Sequence, residues 1–251
     1  MFNFDEVGDK IYGGAHTALY RSGDRAYKVF SSGYEEEAAR EFACHELAVQ
    51  AGLNVPELYG SGRNTEGLAV IAREFIDGRT FAEIIAEEPE SYDEFLELLI
   101  DEQIKINDCD GTGAPPLKQV IEAQIRSLRG LPAARQDELL TELEALPVHN
   151  KLCHGNFGLE NIIVAEDESF YPIDWALAMC GNASADVAKT YLKLCCISTE
   201  TAENYIKVYS EKSNTDKQYV RRWIPIMAAS RLADSDELTH IERNLMQIWI
   251  Q

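Results

Sequence analysis

The 251-residue sequence predicts an α+β fold in two parts: a small antiparallel β-sheet lobe with one helix, then a larger, mainly helical lobe. Three observations lead there. Short β-branched and aromatic runs, bounded by turn residues, fill the first ~75 positions with a single interruption at helical spacing. After Asp77-Gly78 apolar residues recur three and four apart in one stripe after another. Hydrophobic residues make up 45% of the chain and aromatics 9%, enough for the core of one large domain or two small ones.

Residues 18–21 and 26–30 read as strands around Ser22-Gly23-Asp24, a hairpin signal. Residues 35–51 read as a helix, because Ala38, Phe42, His45 and Val49 share one face; Gly52 stops it and Pro56 follows. Residues 55–59 and 68–75 read as two further strands, with the polar stretch 60–67 as the turn between them. Residues 92–107 form an amphipathic helix with Phe95, Leu96, Leu99, Ile100 and Ile104 inward. Leu117, Ile121, Ile125 and Leu128 make the next stripe, closed by Gly130 and Pro132. Leu139, Leu140, Leu143 and Leu146 make a third, closed by Pro147. Two short strands, 161–165 and 170–173, flank the acidic turn 166–168. The remainder reads as helices: from Ser184, a plausible N-cap, then 201–211, 218–232 with a kink or break at Pro225, and 237–249. The character of the chain changes near residues 74–78, which places a division between residues 1–76 and 77–251 and a hinge at the change, and clefts between lobes are where ligands bind.

Composition excludes some functions. Forty-three acids against 23 bases give a net charge of -20. That charge repels a phosphate backbone and an anionic membrane, so neither nucleic acid nor membrane is an expected partner. It suits solubility or a cationic ligand. No apolar run approaches the ~18–20 residues of a membrane span, and the acidic start is unlike a secretory signal, so a cytoplasmic location is expected. The six cysteines show no Cys-x-x-Cys spacing and no histidine partners at ligand spacing, which argues against a disulfide framework or a zinc site.

The chemistry-bearing residues gather in a few places. Asn161 and Asp174 stand at the ends of two neighbouring short strands, and two oxygen ligands converging there suit a Mg²⁺ that keeps waters and takes phosphate oxygens. Lys28 sits mid-strand among apolar neighbours, where a cation is costly without an acid; Glu36, Glu37, Glu41 and Glu46 on the next helix are available. His154-Gly155-Asn156 leads into Asn161, Ile173-Asp174-Trp175 follows, and Gly181-Asn-Ala-Ser-Ala-Asp186-Val-Ala188 comes after that.

This ordered set resembles the aminoglycoside phosphotransferase and choline kinase family, which shares the protein-kinase-like fold. The family's loop reads H-G-D-x-x-x-x-N, followed by I-D-W or I-D-F and a segment ending in D-L/V-A. The resemblance spans about residues 8–190. It implies that ATP and Mg²⁺ are cofactors and that a hydroxyl of a small molecule accepts phosphate. It implies Lys28 on the α/β-phosphates, paired with Glu41; Asp174 and Asn161 as metal ligands; and Gly13 and Gly14 in the phosphate-covering loop, without a full G-x-G-x-x-G. Glu74, Phe75 and Ile76 would form the adenine-binding hinge. His154 would brace the loop and Asp186 would stabilise it. Asn156, Asp174 and Lys28 would be the catalytic set. At Asn156 the chain departs from the family, whose aspartate accepts the acceptor's proton. An amide cannot be a general base near neutral pH, although it still orients a hydroxyl. A nucleotide-binding pseudokinase is therefore the alternative expectation. Acids crowding the start of the helical lobe, among them Glu83, Glu87, Asp93, Glu97 and Asp101, fit either a cationic acceptor or a solvated acidic surface.

Overall fold

In the computed structural model of the chain, residues 2–4, 7–233 and 238–250 are described. By packing they form two compact units. One runs to Pro89 and takes in Leu159–Leu177; the other comprises Glu90–Gly158 and the chain from Ala178 onward.

The first unit is built on six strands: β1 (Phe2–Phe4), β2 (Asp9–Gly13), β3 (Thr17–Ser22), β4 (Arg25–Phe30), β5 (Leu58–Asn64) and β6 (Ala69–Glu74). Their order is β1-β5-β6-β4-β3-β2, antiparallel except for β1, which runs parallel to β5. Alternation along β4 explains its two faces. Tyr27 and Val29 pack with Val70 and Ala72. Phe30 packs with Ile71 and with Ala38 of α1 (Glu35–Gln50), so Ala26, Lys28 and Phe30 share the face on which α1 lies. Gly52, at φ 77°, ends α1: its N–H donates to Val49 and that of Leu53 to Ala48, satisfying carbonyls the helix leaves open.

Several expectations need correction. Val49 is exposed; the buried face of α1 is Ala38, Glu41, Cys44, His45 and Ala48. The polar members of that face are affordable because Lys28 meets Glu41, and His45 Nε2 lies 2.7 Å from the Pro56 carbonyl. The expected turn at 60–67 is mostly strand, since β5 continues to Asn64 while pairing on both sides. Asn64 then makes the turn, its side-chain oxygen accepting from the amides of Glu66 and Leu68.

Past β6 lie two elements that the sequence did not reveal, β7 (Gly78–Thr80) and α2 (Phe81–Glu87). Thr80 and Glu83 cap α2 reciprocally. The strand β7 pairs with β9 (Ile162–Ala165), which pairs in turn with β10 (Phe170–Pro172). A Cβ on Gly78 would stand 2.1 Å from the Val164 carbonyl, so only glycine allows this approach. This pairing is why residues 77–89 and 159–177 pack with the strand-rich unit.

The second unit is mainly helical: α3 (Tyr92–Asp108), α4 (Leu117–Ser127), α5 (Ala133–Ala145), α6 (Ala183–Cys195), α7 (Thr199–Ser213), α8 (Lys217–Arg221), α9 (Ile224–Ala233) and α10 (His240–Trp249). Between α5 and α6 a ribbon pairs β8 (Lys151–Cys153) with β11 (Met179–Gly181). Leu99, Ile100, Ile121, Ile125, Leu139 and Trp223 lie in its core. Phe95 is only half-buried. The cap of α6 is Asn182, whose side chain accepts the Ser184 amide, rather than Ser184 itself. The expected break near Pro225 falls at residues 222–223, leaving Pro225 in the first turn of α9, where its missing N–H costs nothing. The expected helix start at Glu237 lies outside the described residues; α10 is helical from His240.

Candidate active site

In the first unit Lys28 stands in the centre of β4, cross-strand from Leu19 and Ile71. Its Nζ donates to both Glu41 oxygens at 2.8 and 2.7 Å and to Asp174 Oδ1 at 3.0 Å. Of the four glutamates open to it in the sequence, Glu41 is the partner. Burial pulls the Lys28 ammonium down, but the two carboxylates outweigh it and hold the group above its ordinary value. Lys28 is thus charged at any working pH.

Asp174 reaches this position through its backbone. The β9–β10 ladder, in register at Pro172 and Ile162, is extended by the Ile173 amide bonding to the Asn161 carbonyl at 3.0 Å. Asn161 and Asp174 therefore lie at adjacent strand ends. Asp174 turns there with φ 67°, a left-handed conformation that costs a non-glycine residue on the order of 1–3 kcal/mol. Trp175 follows, fully buried in a short turn (Trp175–Leu177) that packs against α1, the helix carrying Glu41. One carboxylate and one amide oxygen form a donor set that fits a Mg²⁺ completed by water and phosphate. Among the described residues no group of three or more His, Cys, Asp and Glu side chains is gathered for a metal held by protein alone. All six cysteines are free thiols, and burial pushes that of Cys195 up to about 11.

The hinge residues follow β6. The Phe75 amide donates to the Asp24 carbonyl at 2.8 Å. The Arg21 guanidinium grips the Asp77 carboxylate at 2.7 and 2.6 Å and lies over the Phe75 ring at 3.8 Å. Of the three expected hinge groups the Phe75 amide is thus occupied, while the Ile76 amide has no hydrogen-bond partner among the described residues. Gly13 ends β2, and the Gly14 amide closes the following turn on the Thr17 carbonyl at 2.8 Å. Neither glycine is left-handed. His16, in that turn, stacks on Tyr34 with ring centroids 4.3 Å apart, tying the turn to the residue before α1.

In the second unit the loop after β8 is held by α6. Asp186 accepts the His154 amide at 3.1 Å and the Gly155 amide at 2.7 Å. One turn on, Thr190 Oγ1 donates to the Phe157 carbonyl at 3.3 Å, and Lys193 Nζ donates to the Asn156 carbonyl at 2.9 Å. Residues 186, 190 and 193 share one helix face. Gln103 and Asn107 of α3 donate to Asp186 from behind, at 3.4 and 3.2 Å. His154 is completely buried, and its Nδ1 accepts the Asn156 amide at 3.3 Å. The sequence reading missed Gln103, Asn107, Thr190 and Lys193. Spacings of four and seven from Asp186 were a usable signal for Thr190 and Lys193, and two polar side chains one turn apart on a buried stripe were one for Gln103 and Asn107.

Residues 13–223 match the family described as the phosphotransferase enzyme family. The chain belongs to that family. Among solved structures, a thermostable mutant of the aminoglycoside phosphotransferase APH(4)-Ia, in ternary complex with AMP-PNP and hygromycin B, is similar to this phosphotransferase with TM-score 0.68 and 16% identity over 96% of this chain and 92% of that one. The choline kinase LicA from Streptococcus pneumoniae is similar with TM-score 0.59 and 17% identity over 96% and 92%. An aminoglycoside-3'-phosphotransferase of type VIII is similar with TM-score 0.62 and 18% identity over 91% and 93%. No curated protein matches the chain. In this phosphotransferase no helix among the described residues is long and apolar enough to cross a membrane.

Proposed function

We propose that this phosphotransferase moves the γ-phosphoryl group of ATP, with Mg²⁺, to a hydroxyl of a small cationic molecule. The observation that carries the reading is Lys28, bonded at once to Glu41 and Asp174, with Asn161 at the strand end beside Asp174. Phosphoryl transfer asks mainly for positioning and charge neutralisation. Lys28 binds phosphate oxygens, and Glu41 fixes its side chain. Asp174 and Asn161 would hold Mg²⁺, which when bound neutralises phosphate charge. Glu74 and Ile76 present backbone groups to the base, and the turn at Gly13 and Gly14 covers the phosphates. Asn156, on the loop fixed by Asp186, orients the acceptor hydroxyl without taking its proton. A positioned base is worth ~100- to 10,000-fold in rate, so turnover is slow rather than absent.

A cationic acceptor is supported by the net charge of -20 and by relatives that bind hygromycin B or act as a choline kinase. The acids near the start of the helical segment add less than their number suggests. Glu83 caps α2, Glu87 pairs with Arg79, and Glu97 and Asp101 pair with Lys212.

ATP consumption against a panel of hydroxylated amines tests the proposal. Slow turnover with one of them, raised tenfold or more by Asn156→Asp, is the expected result, by the worth of a general base. No turnover in either protein with any acceptor sinks it. Asn156 also favours a second reading, a nucleotide-binding pseudokinase. Thermal stabilisation by MgATP of about 2.7 kcal/mol at a hundred times Kd, without turnover and without gain from Asn156→Asp, would select that one.

A further inference from the structure

Asp186 and Thr190, which hold the loop after β8, share one further partner, Gln103 of α3. Its Nε2 donates to Asp186 Oδ2 at 3.4 Å and to Thr190 Oγ1 at 3.1 Å. The Thr190 hydroxyl has one proton, which serves the Phe157 carbonyl at 3.3 Å and the Asp186 carbonyl of its own helix at 3.4 Å. Both amide hydrogens of Gln103 are thereby used, and its Oε1 needs a donor. Tyr205 of α7 supplies one, its hydroxyl donating to Gln103 Oε1. All four side chains are buried, Gln103 and Tyr205 completely. Burial pushes the Tyr205 hydroxyl well above its ordinary value, so it keeps its proton. Donation therefore runs one way, from Tyr205 to Gln103, from Gln103 to Thr190, and from Thr190 to the loop.

Without the Tyr205 hydroxyl, Gln103 Oε1 is a buried acceptor with no donor, a costly state that movement of the amide relieves. Turning end for end puts the oxygen where Nε2 now stands. There it takes the Thr190 proton away from Phe157 and faces the Asp186 carboxylate. Swinging away instead removes both Gln103 donors. Either movement loosens residues 154–157, which carry Asn156.

We propose that Tyr205 is a positioning residue for this loop, acting through Gln103 to keep Asp186 and Thr190 on it. What the loop does rests on the phosphotransfer reading above; what holds it rests on the hydrogen bonds alone.

Hydrogen exchange of the full chain, read by mass spectrometry, tests the hold without needing turnover. Tyr205→Phe keeps the ring, which stacks on Tyr209. In that variant the amides of residues 153–158 should exchange about tenfold faster, while those of α4 in the same unit stay within about twofold. Adding Gln103→Met to Tyr205→Phe removes the oxygen that competes for Thr190, so the loop should regain most of its protection. The double variant also decides the matter if Tyr205→Phe alone does not fold. In the Asn156→Asp background, Tyr205→Phe should lower kcat about tenfold and leave the KM for MgATP within about twofold. A loop unchanged by Tyr205→Phe overturns the proposal. So does equal acceleration of the loop and α4, which would make Tyr205 an ordinary core residue, and so does a double variant whose loop exchanges faster than that of Tyr205→Phe. Absence of turnover in every protein overturns the phosphotransfer reading, a different result, since the exchange pattern still decides for or against Tyr205.

Discussion

Asp186 accepts from four donors, the amides of His154 and Gly155 and the side chains of Asn107 and Gln103. An amide there has one acceptor oxygen and would set its NH₂ against the backbone amides of His154 and Gly155 or the side-chain amides of Asn107 and Gln103, donor against donor. Asp186→Asn is therefore expected to cost about 2–3 kcal/mol, read as a lower urea midpoint with an unchanged slope. An unchanged midpoint would mean that the loop is held by the other α6 contacts. The contrast between Asp186 and Arg73 shows what a sequence reveals at this scale. Asp186, Lys28, Asn161 and Asp174 stood out because the segments that hold them resemble the family's motifs in the same order along the chain. The residues alone left four glutamates of α1 open to Lys28; the resemblance pointed to Glu41, and the burial of its face is what brings that one to Lys28. Arg73 opens the segment that resembles the hinge, but the face its side chain takes follows from the register with Lys28, and register is a tertiary fact.

Elements were legible in proportion to their length. The helices over 35–50 and 92–108 contain enough turns for a stripe to show, whereas β7, β8 and β11 have three residues each and no measurable period. The part of β5 over 60–64 reads as a turn because Gly60 and Gly62 carry turn chemistry, overridden here by pairing with two neighbours. Local chemistry does decide the start of α10. Thr239 accepts the Glu242 amide at 3.2 Å, and Glu242 answers on the Thr239 amide at 2.9 Å while also meeting Arg231 at 3.0 Å. Thr239→Ala should cost about 1 kcal/mol by urea unfolding. Burial pushes the Glu242 carboxyl up, but the Thr239 donors and Arg231 outweigh it and leave it below its ordinary value. A depressed carboxyl stabilises the fold above its unfolded pKa, and that contribution fades as pH falls through the folded value. The stability gap between wild type and Glu242→Gln should hence be full at pH 6 and shrink below about pH 4.5. A gap that grows on acidification would contradict the cap.

At the scale of the whole molecule the charge of -20 is the governing quantity. Many of the 23 bases are committed to particular acids: Arg21 to Asp77, Lys28 to Glu41 and Asp174, Arg79 to Glu87, Lys212 to Asp101, Arg221 to Glu203. With 43 acids in all, a surplus remains that no base can neutralise. Two effects of salt then oppose one another. Screening weakens exposed ion pairs, each worth about 0–1 kcal/mol. It also weakens repulsion among the surplus acids, which acts over a Debye length of about 10 Å at 0.1 M and reaches many neighbours at once. With twenty unmatched negative charges the second effect should win. Raising sodium chloride from about 0.01 to 0.5 M should therefore raise the melting temperature, by roughly 2–4 °C for each kcal/mol gained in a chain of this size. A melting temperature that falls with salt would show instead that the ion pairs outweigh the repulsion.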